Sequence, residues 1–211
     1  MNLPLDYIWQ PAPVSSDSLM VVLHGRGDSA EGFLWLQEAM ALDSLNYLLL
    51  NAPMPYYTGF SWYGLPPDQL PGIIESRKLL AEVFLETERS GYPPLKTFLF
   101  GFSQGCLMTL EFGARHTQRL GAYIGISGYV YDPAALLREV NPEVNKGDWL
   151  ITHGTEDELL PVEQTREQIR QLSVGGFEID YREYSKTHTI DAERELPGIR
   201  EWLSPRTKSS S

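Results

Sequence analysis

The chain alternates short apolar runs with longer stretches of helical spacing, and that alternation limits the folds open to it. The runs are Leu19–Leu23, Tyr47–Leu50, Thr97–Phe100, Ala122–Ile126, Trp149–Thr152 and Phe177–Glu183. Each is short, unbroken and flanked by Gly, Pro or Asn nearby, which favours a buried strand over a helix. Between them, 30–42, 73–89, 104–116, 133–140, 162–172 and 190–203 place apolar residues near one helical face. Strands alternating with helices imply parallel βαβ units in one sheet covered on both faces, an α/β architecture. No repeat or linker divides the chain, so 1–204 reads as a single domain and 205–211 as a flexible tail.

Bulk properties narrow the partners. Of 211 residues, 42% are hydrophobic, an ordinary share for a globular domain with one sizeable core. The formal net charge of −11 argues against nucleic acid or an anionic membrane as the main partner. No run of about 18 apolar residues offers a membrane span. The start, MNLPLDYIWQPAPVSSDS, lacks the basic and apolar regions of a signal peptide. Cys106 is the single cysteine, so no internal disulfide forms. Together these readings place the protein in the cytoplasm.

The chemistry begins at GFSQG, residues 101–105, directly after the run ending at Phe100. G-x-S-x-G between a strand and a helix is the nucleophile-elbow pattern. The glycines let strand and helix pass closely, and Ser103 is held up at the strand end above a helix N-terminus. The competing reading is a glycine-rich turn with a solvated serine. A serine nucleophile needs a base, and the base needs an orienting acid. On a sheet carrying an elbow these follow in the order Ser, acid, His. His188, in YSKTHTID before the final helical stretch, stands where a base would reach the sheet edge. Asp157, in HGTEDELLP after the run at 149–152, is favoured over its neighbours Glu156 and Glu158 as the orienting acid. His153, just inside that strand end, reads as a loop prop. HGRGD (24–28) ends the first apolar run, and the backbone N–H groups of Arg26 and Gln104 would converge as an oxyanion hole.

The stretch MPYYTGFSWYGLPPDQLP, residues 54–71, is too long and aromatic for a plain connection and reads as a functional loop. Tyr56, Tyr57, Phe60, Trp62, Tyr63 and Leu65 either line a substrate cavity or pack the loop onto the sheet, and both readings stay open. Leu159 and Leu160 are further candidates for the acyl side. No HExxH, CxxC or dinucleotide-type glycine motif calls for a metal or organic cofactor.

Taken in order, LHGRGD, NAP, SWY, GFSQG, HGTEDELLP and the late histidine of YSKTHT resemble the phospholipase/carboxylesterase family of α/β-hydrolases, over roughly 19–203. The resemblance implies an α/β-hydrolase fold without a large lid domain, and a serine hydrolase of carboxylic esters or thioesters. It carries the family's serine to Ser103, its acid to Asp157, its base to His188, its oxyanion donors to Arg26 and Gln104, and its loop tryptophan to Trp62. No cofactor is implied, and the substrate would be a small-molecule or lipid-like ester; lysophospholipase and acyl-protein thioesterase activities are the alternatives, with a non-catalytic binding protein behind them. A homodimer is compatible with the exposed apolar residues. The chain departs from the family pattern at Arg26, where a small or apolar residue is usual, at Gly64, at Glu158, at Cys106 and at Ile190. These departures touch substrate class and leave the three chemical residues in place.

Overall fold

The computed structural model describes residues 1–207. Its centre is a seven-stranded sheet in the order β1-β3-β2-β6-β7-β8-β9. The strands are β1 (Tyr7–Gln10), β2 (Leu19–Leu23), β3 (Asn46–Leu50), β6 (Thr97–Phe102), β7 (Ala122–Ile126), β8 (Trp149–Gly154) and β9 (Ile179–Tyr184). All neighbours pair in parallel except β1, which runs antiparallel to β3 at the edge. The expected α/β architecture is therefore present.

The reason lies in burial on two sides. Every residue of β2, β3, β7 and β8 is buried. Successive side chains point to opposite faces. Leu19, Val21 and Leu23 join the core layer that includes residues of α2 (Gln69–Arg89), α3 (Gln104–Gly113), α4 (Pro133–Glu139) and α5 (Val162–Val174). Met20 and Val22 join the opposite layer with α1 (Leu36–Met40) and α6 (Glu195–Thr207). Polar residues at alternate positions would have to be buried, so the strands read as unbroken apolar runs. α3 is buried along its whole length. Its one acid, Glu111, is held by Arg115 at 2.7 Å and Arg77 at 3.6 Å.

Several expected boundaries move. The stretch 30–42 is not one helix but a 3-10 turn at Glu31–Phe33 followed by α1, ended by Ala41 at φ 47°. Phe33, Leu36 and Met40 still reach the same core layer, so two short turns satisfy the spacing that suggested one helix. The final strand begins at Ile179 rather than Phe177, and α6 begins at Glu195 rather than Ile190. α6 continues to Thr207, so 205–207 belong to a helix rather than to the expected tail; 208–211 lie outside the described residues. The stretch 54–71 holds a small hairpin, β4 (Met54–Tyr56) and β5 (Gly59–Ser61), and its last residues already form the first turn of α2. No helix among the described residues is long and apolar enough to cross a membrane.

Candidate active site

β6 leaves the sheet through Gly101 and enters α3 through Gly105, with Ser103 between them at φ 54°, ψ −111°. That conformation is strained for any residue with a Cβ and is held by its surroundings. A Cβ on Gly101 would lie 2.1 Å from the Gly105 carbonyl oxygen, and one on Gly105 would lie 2.1 Å from the Leu23 carbonyl oxygen. Both glycines are thus required by the close passage of strand and helix. The Ser103 N–H donates to the Ile126 carbonyl at 2.9 Å, which fastens the turn to β7.

Two loops from later strands meet this serine. His188, between β9 and α6, sets its Nε2 2.9 Å from Ser103 Oγ. Its Nδ1 lies 2.7 Å from Asp157 Oδ2. A carboxylate can only accept, so Nδ1 carries the proton and Nε2 presents its lone pair to the serine hydroxyl. Asp157 Oδ1 accepts from the Leu159 and Leu160 N–H groups at 3.0 and 2.9 Å, which fixes the carboxylate in its own tight turn. His153 donates from Nε2 to the Leu160 carbonyl at 2.8 Å, so it props the same loop as expected, and burial lowers its pKa. Phe102 flanks the His188 ring at a tilt, with centroids 5.2 Å apart.

The HGRGD loop is held from both sides. His24 is buried; its Nδ1 donates to the Gly25 carbonyl at 2.6 Å and its Nε2 accepts from the Ala52 N–H at 3.1 Å. That pairing needs the neutral ring, and burial accordingly lowers the His24 pKa. On the other side, Gly27 N–H donates to Phe60 O at 2.8 Å and Phe60 N–H to Asp28 O at 2.9 Å, so the small hairpin is stitched to the loop. Neither the Arg26 nor the Gln104 N–H donates to a protein carbonyl among the described residues. For Gln104 this follows from its place at the first position of α3, where a helix has no internal acceptor.

Ser103 and His188 open into a cleft of about 790 Å³. Of the expected lining residues, Tyr63, Leu159 and Leu160 face it, together with Arg26 and Gln104. Phe60, Trp62 and Leu65 do not line it. Trp62 is fully buried beneath the site, where its Nε1 donates to the His24 carbonyl at 3.0 Å. Its N–H donates to Gln104 Oε1 at 3.0 Å, and Gln104 Nε2 returns a bond to the Tyr63 carbonyl at 2.9 Å. The aromatic loop is therefore tied to the elbow helix by the Gln104 side chain. Phe60 serves through its backbone, and Leu65 is exposed. The sequence reading missed the wall formed by Tyr129, Val130 and Tyr131 after β7, and by Gln69 and Gln168. Their one signal was position: SGYVY follows a buried strand at the same sheet edge as the serine.

The family model described as phospholipase/carboxylesterase matches residues 10–205. Acyl-protein thioesterase 1 of Yarrowia lipolytica is 28% identical over 221 residues, covering 94% of this chain and 96% of that protein. The carboxylesterase SOBER1 of Arabidopsis thaliana is 25% identical, covering 90% of each. Among solved structures, the esterase PE8 superposes with a TM-score of 0.85 at 26% identity, covering 95% of this chain and 98% of that one. The departures at Arg26 and Cys106 sit within this shared frame and leave it intact. With its sheet order, its elbow and a match along nearly its whole length, the chain belongs to the phospholipase/carboxylesterase family, the carboxylic ester hydrolases built on the α/β-hydrolase fold.

Proposed function

We propose that the protein is a serine hydrolase that cleaves carboxylic esters or thioesters through an acyl-enzyme. The observation that carries this reading is the continuous hydrogen-bond chain from Ser103 Oγ through His188 to Asp157 at the floor of the cleft. His188 takes the serine proton as Oγ attacks the carbonyl carbon, and Asp157 holds the ring in the required tautomer and stabilises the imidazolium. The carbonyl oxygen becomes an oxyanion that accepts from the Arg26 and Gln104 N–H groups. Donors of this type contribute about 3 kcal/mol each to the transition state. His188 then protonates the leaving alcohol or thiol. In the second half, water gives its proton to His188 and attacks the acyl carbonyl, releasing the acid and restoring Ser103.

Labelling with a fluorophosphonate and turnover of p-nitrophenyl esters of increasing chain length test the reading, with Ser103→Ala beside the wild type. Both signals present in the wild type and absent in Ser103→Ala support it. A wild type that neither labels nor turns over any ester overturns it and turns the cleft into a binding site. A thioesterase reading has its own support in the Yarrowia relative's name. Parallel acyl thioesters in the same assay separate it from oxygen-ester hydrolysis.

A further inference from the structure

Arg26 is the only lysine or arginine lining the cleft among the described residues. Its guanidinium has no carboxylate partner there, although the protein carries 28 acidic residues against 17 basic ones. Its Nε is fully buried and meets no hydrogen-bond acceptor. The group is held in place from the side, with Cζ 5.9 Å from the centroid of the Tyr56 ring. The one acid of the wall, Asp28, is turned into its own loop. There Oδ1 accepts from the Ser29 N–H at 2.8 Å, and the carboxyl lies against Gly32. The residue as a whole is half-buried, and a cation that lines a partly desolvated cleft with no carboxylate beside it is free to take an anionic ligand.

Polar groups line the cleft as well: Gln69 Nε2 donates to the Tyr129 hydroxyl at 2.5 Å, and the Tyr63 hydroxyl lies against Tyr129. Phe102, Val130, Leu159 and Leu160 add apolar surface to the same lining. The cleft therefore offers Ser103 one cation and several hydrogen-bonding groups together with apolar surface.

We propose, resting on the hydrolase reading above, that the substrate is an ester or thioester bearing a carboxylate, and that the Arg26 guanidinium binds that carboxylate. The planar fork of arginine fits a carboxylate in two parallel hydrogen bonds. A phosphate dianion would bring one charge more than this single cation neutralises. The same residue offers its N–H to the carbonyl oxygen, so the carboxylate stands only a few bonds from the scissile carbonyl. Long unsubstituted acyl chains would leave the guanidinium unpaired.

The experiment compares kcat/KM for charged and neutral pairs of near-equal shape. Mono-p-nitrophenyl glutarate against p-nitrophenyl pentanoate places the anion on the acyl side; 4-butanoyloxybenzoate against its methyl ester places it on the leaving group. The charged-to-neutral ratio within one protein cancels any change at the oxyanion site. In the wild type one of the two ratios is expected to exceed ten. It falls at least tenfold in Arg26→Gln and is largely kept in Arg26→Lys, and the effect lies mainly in KM. Ratios near or below one in the wild type, or ratios unchanged in Arg26→Gln, overturn the proposal while the hydrolase reading stands. If no ester turns over at all, calorimetric binding of monomethyl glutarate to Ser103→Ala decides. Binding that Arg26→Gln abolishes keeps the carboxylate subsite and removes the hydrolase, and absence of binding removes both.

Discussion

Lys186, two residues before His188 in the chain, and Glu195, seven residues after it, form a buried ion pair, Nζ to Oε2 at 2.8 Å. The same Nζ donates to the Thr189 carbonyl at 2.6 Å and to Ser127 Oγ at 3.0 Å. Ser127 directly follows β7, Thr189 follows the histidine and Glu195 opens α6. One ammonium thus binds three elements around the His188 loop.

Breaking one side of such a pair costs about 3–5 kcal/mol, whereas replacing both partners by apolar residues is often close to neutral. Lys186→Met is therefore expected to lower the unfolding free energy in urea by that amount. Lys186→Met with Glu195→Leu is expected to recover most of it. Ester turnover is expected to stay low in both, because the ties to Thr189 and Ser127 are gone in each. Full recovery of kcat in the double variant would falsify a positioning role for the ammonium.

The Asp157 carboxylate is divided between two tasks, and Asp157→Asn separates them. An amide oxygen still accepts from the Leu159 and Leu160 N–H groups, so the loop should hold. The amide nitrogen then faces His188 Nδ1 as a second donor, and the ring must take the other tautomer to pair with it. Its Nε2 then carries a proton and no longer accepts from Ser103. The expected result is a fall of about 10³–10⁴ in kcat, with a urea midpoint close to that of the wild type.

The fold was legible where burial is two-sided. LMVVL and YLLL (47–50) leave no charged position and no solvent-facing one, and a strand inside a covered parallel sheet demands that. YIWQ was not legible, because an edge strand with one neighbour is half-exposed and its pattern is broken. Ser103 and Asp157 could be picked out because each follows a buried apolar strand, and His188 because it follows the last extended run; strand ends at one sheet edge converge. Which aromatics of residues 54–71 face the cleft could not be read, since Trp62 and Tyr63, adjacent just after β5, are both buried and only Tyr63 lines the cleft. Nothing in YSKTHT marked Lys186, because lysine is rarely buried and its partner lies nine residues on.

Cys106 stands three positions after Ser103 yet is sealed. A Cβ on Gly125 or Gly128 would come within 2.6 or 2.5 Å of its Sγ, so those glycines form the wall around it. Burial pushes the thiol up to about 12, far from the thiolate that reacts. Native protein at pH 8 is expected to resist Ellman's reagent, and protein in 6 M guanidinium to release one equivalent. Fast labelling of the native state, accompanied by loss of ester turnover, would place the thiol in the cleft instead.

His116 lies against Phe112 and Phe84, with ring centroids 4.7 and 5.7 Å away. Burial lowers its pKa from 6.5 to about 4, with the carboxylate of Glu88 opposing the shift. The unfolded chain takes up this proton as the pH falls through 6.5, whereas the folded protein does so only near 4. The stabilisation is therefore complete above pH 6.5 and is lost on the way down to pH 4. Between pH 8 and pH 5 this one group should remove about 2 kcal/mol. His24 and His153 shift in the same direction, so the total loss in the wild type is larger. His116→Leu isolates the contribution. Urea unfolding at both pH values is expected to show a fall about 2 kcal/mol smaller in the variant than in the wild type. Equal falls in the two proteins would mean that the ring is solvated and titrates alike in both states.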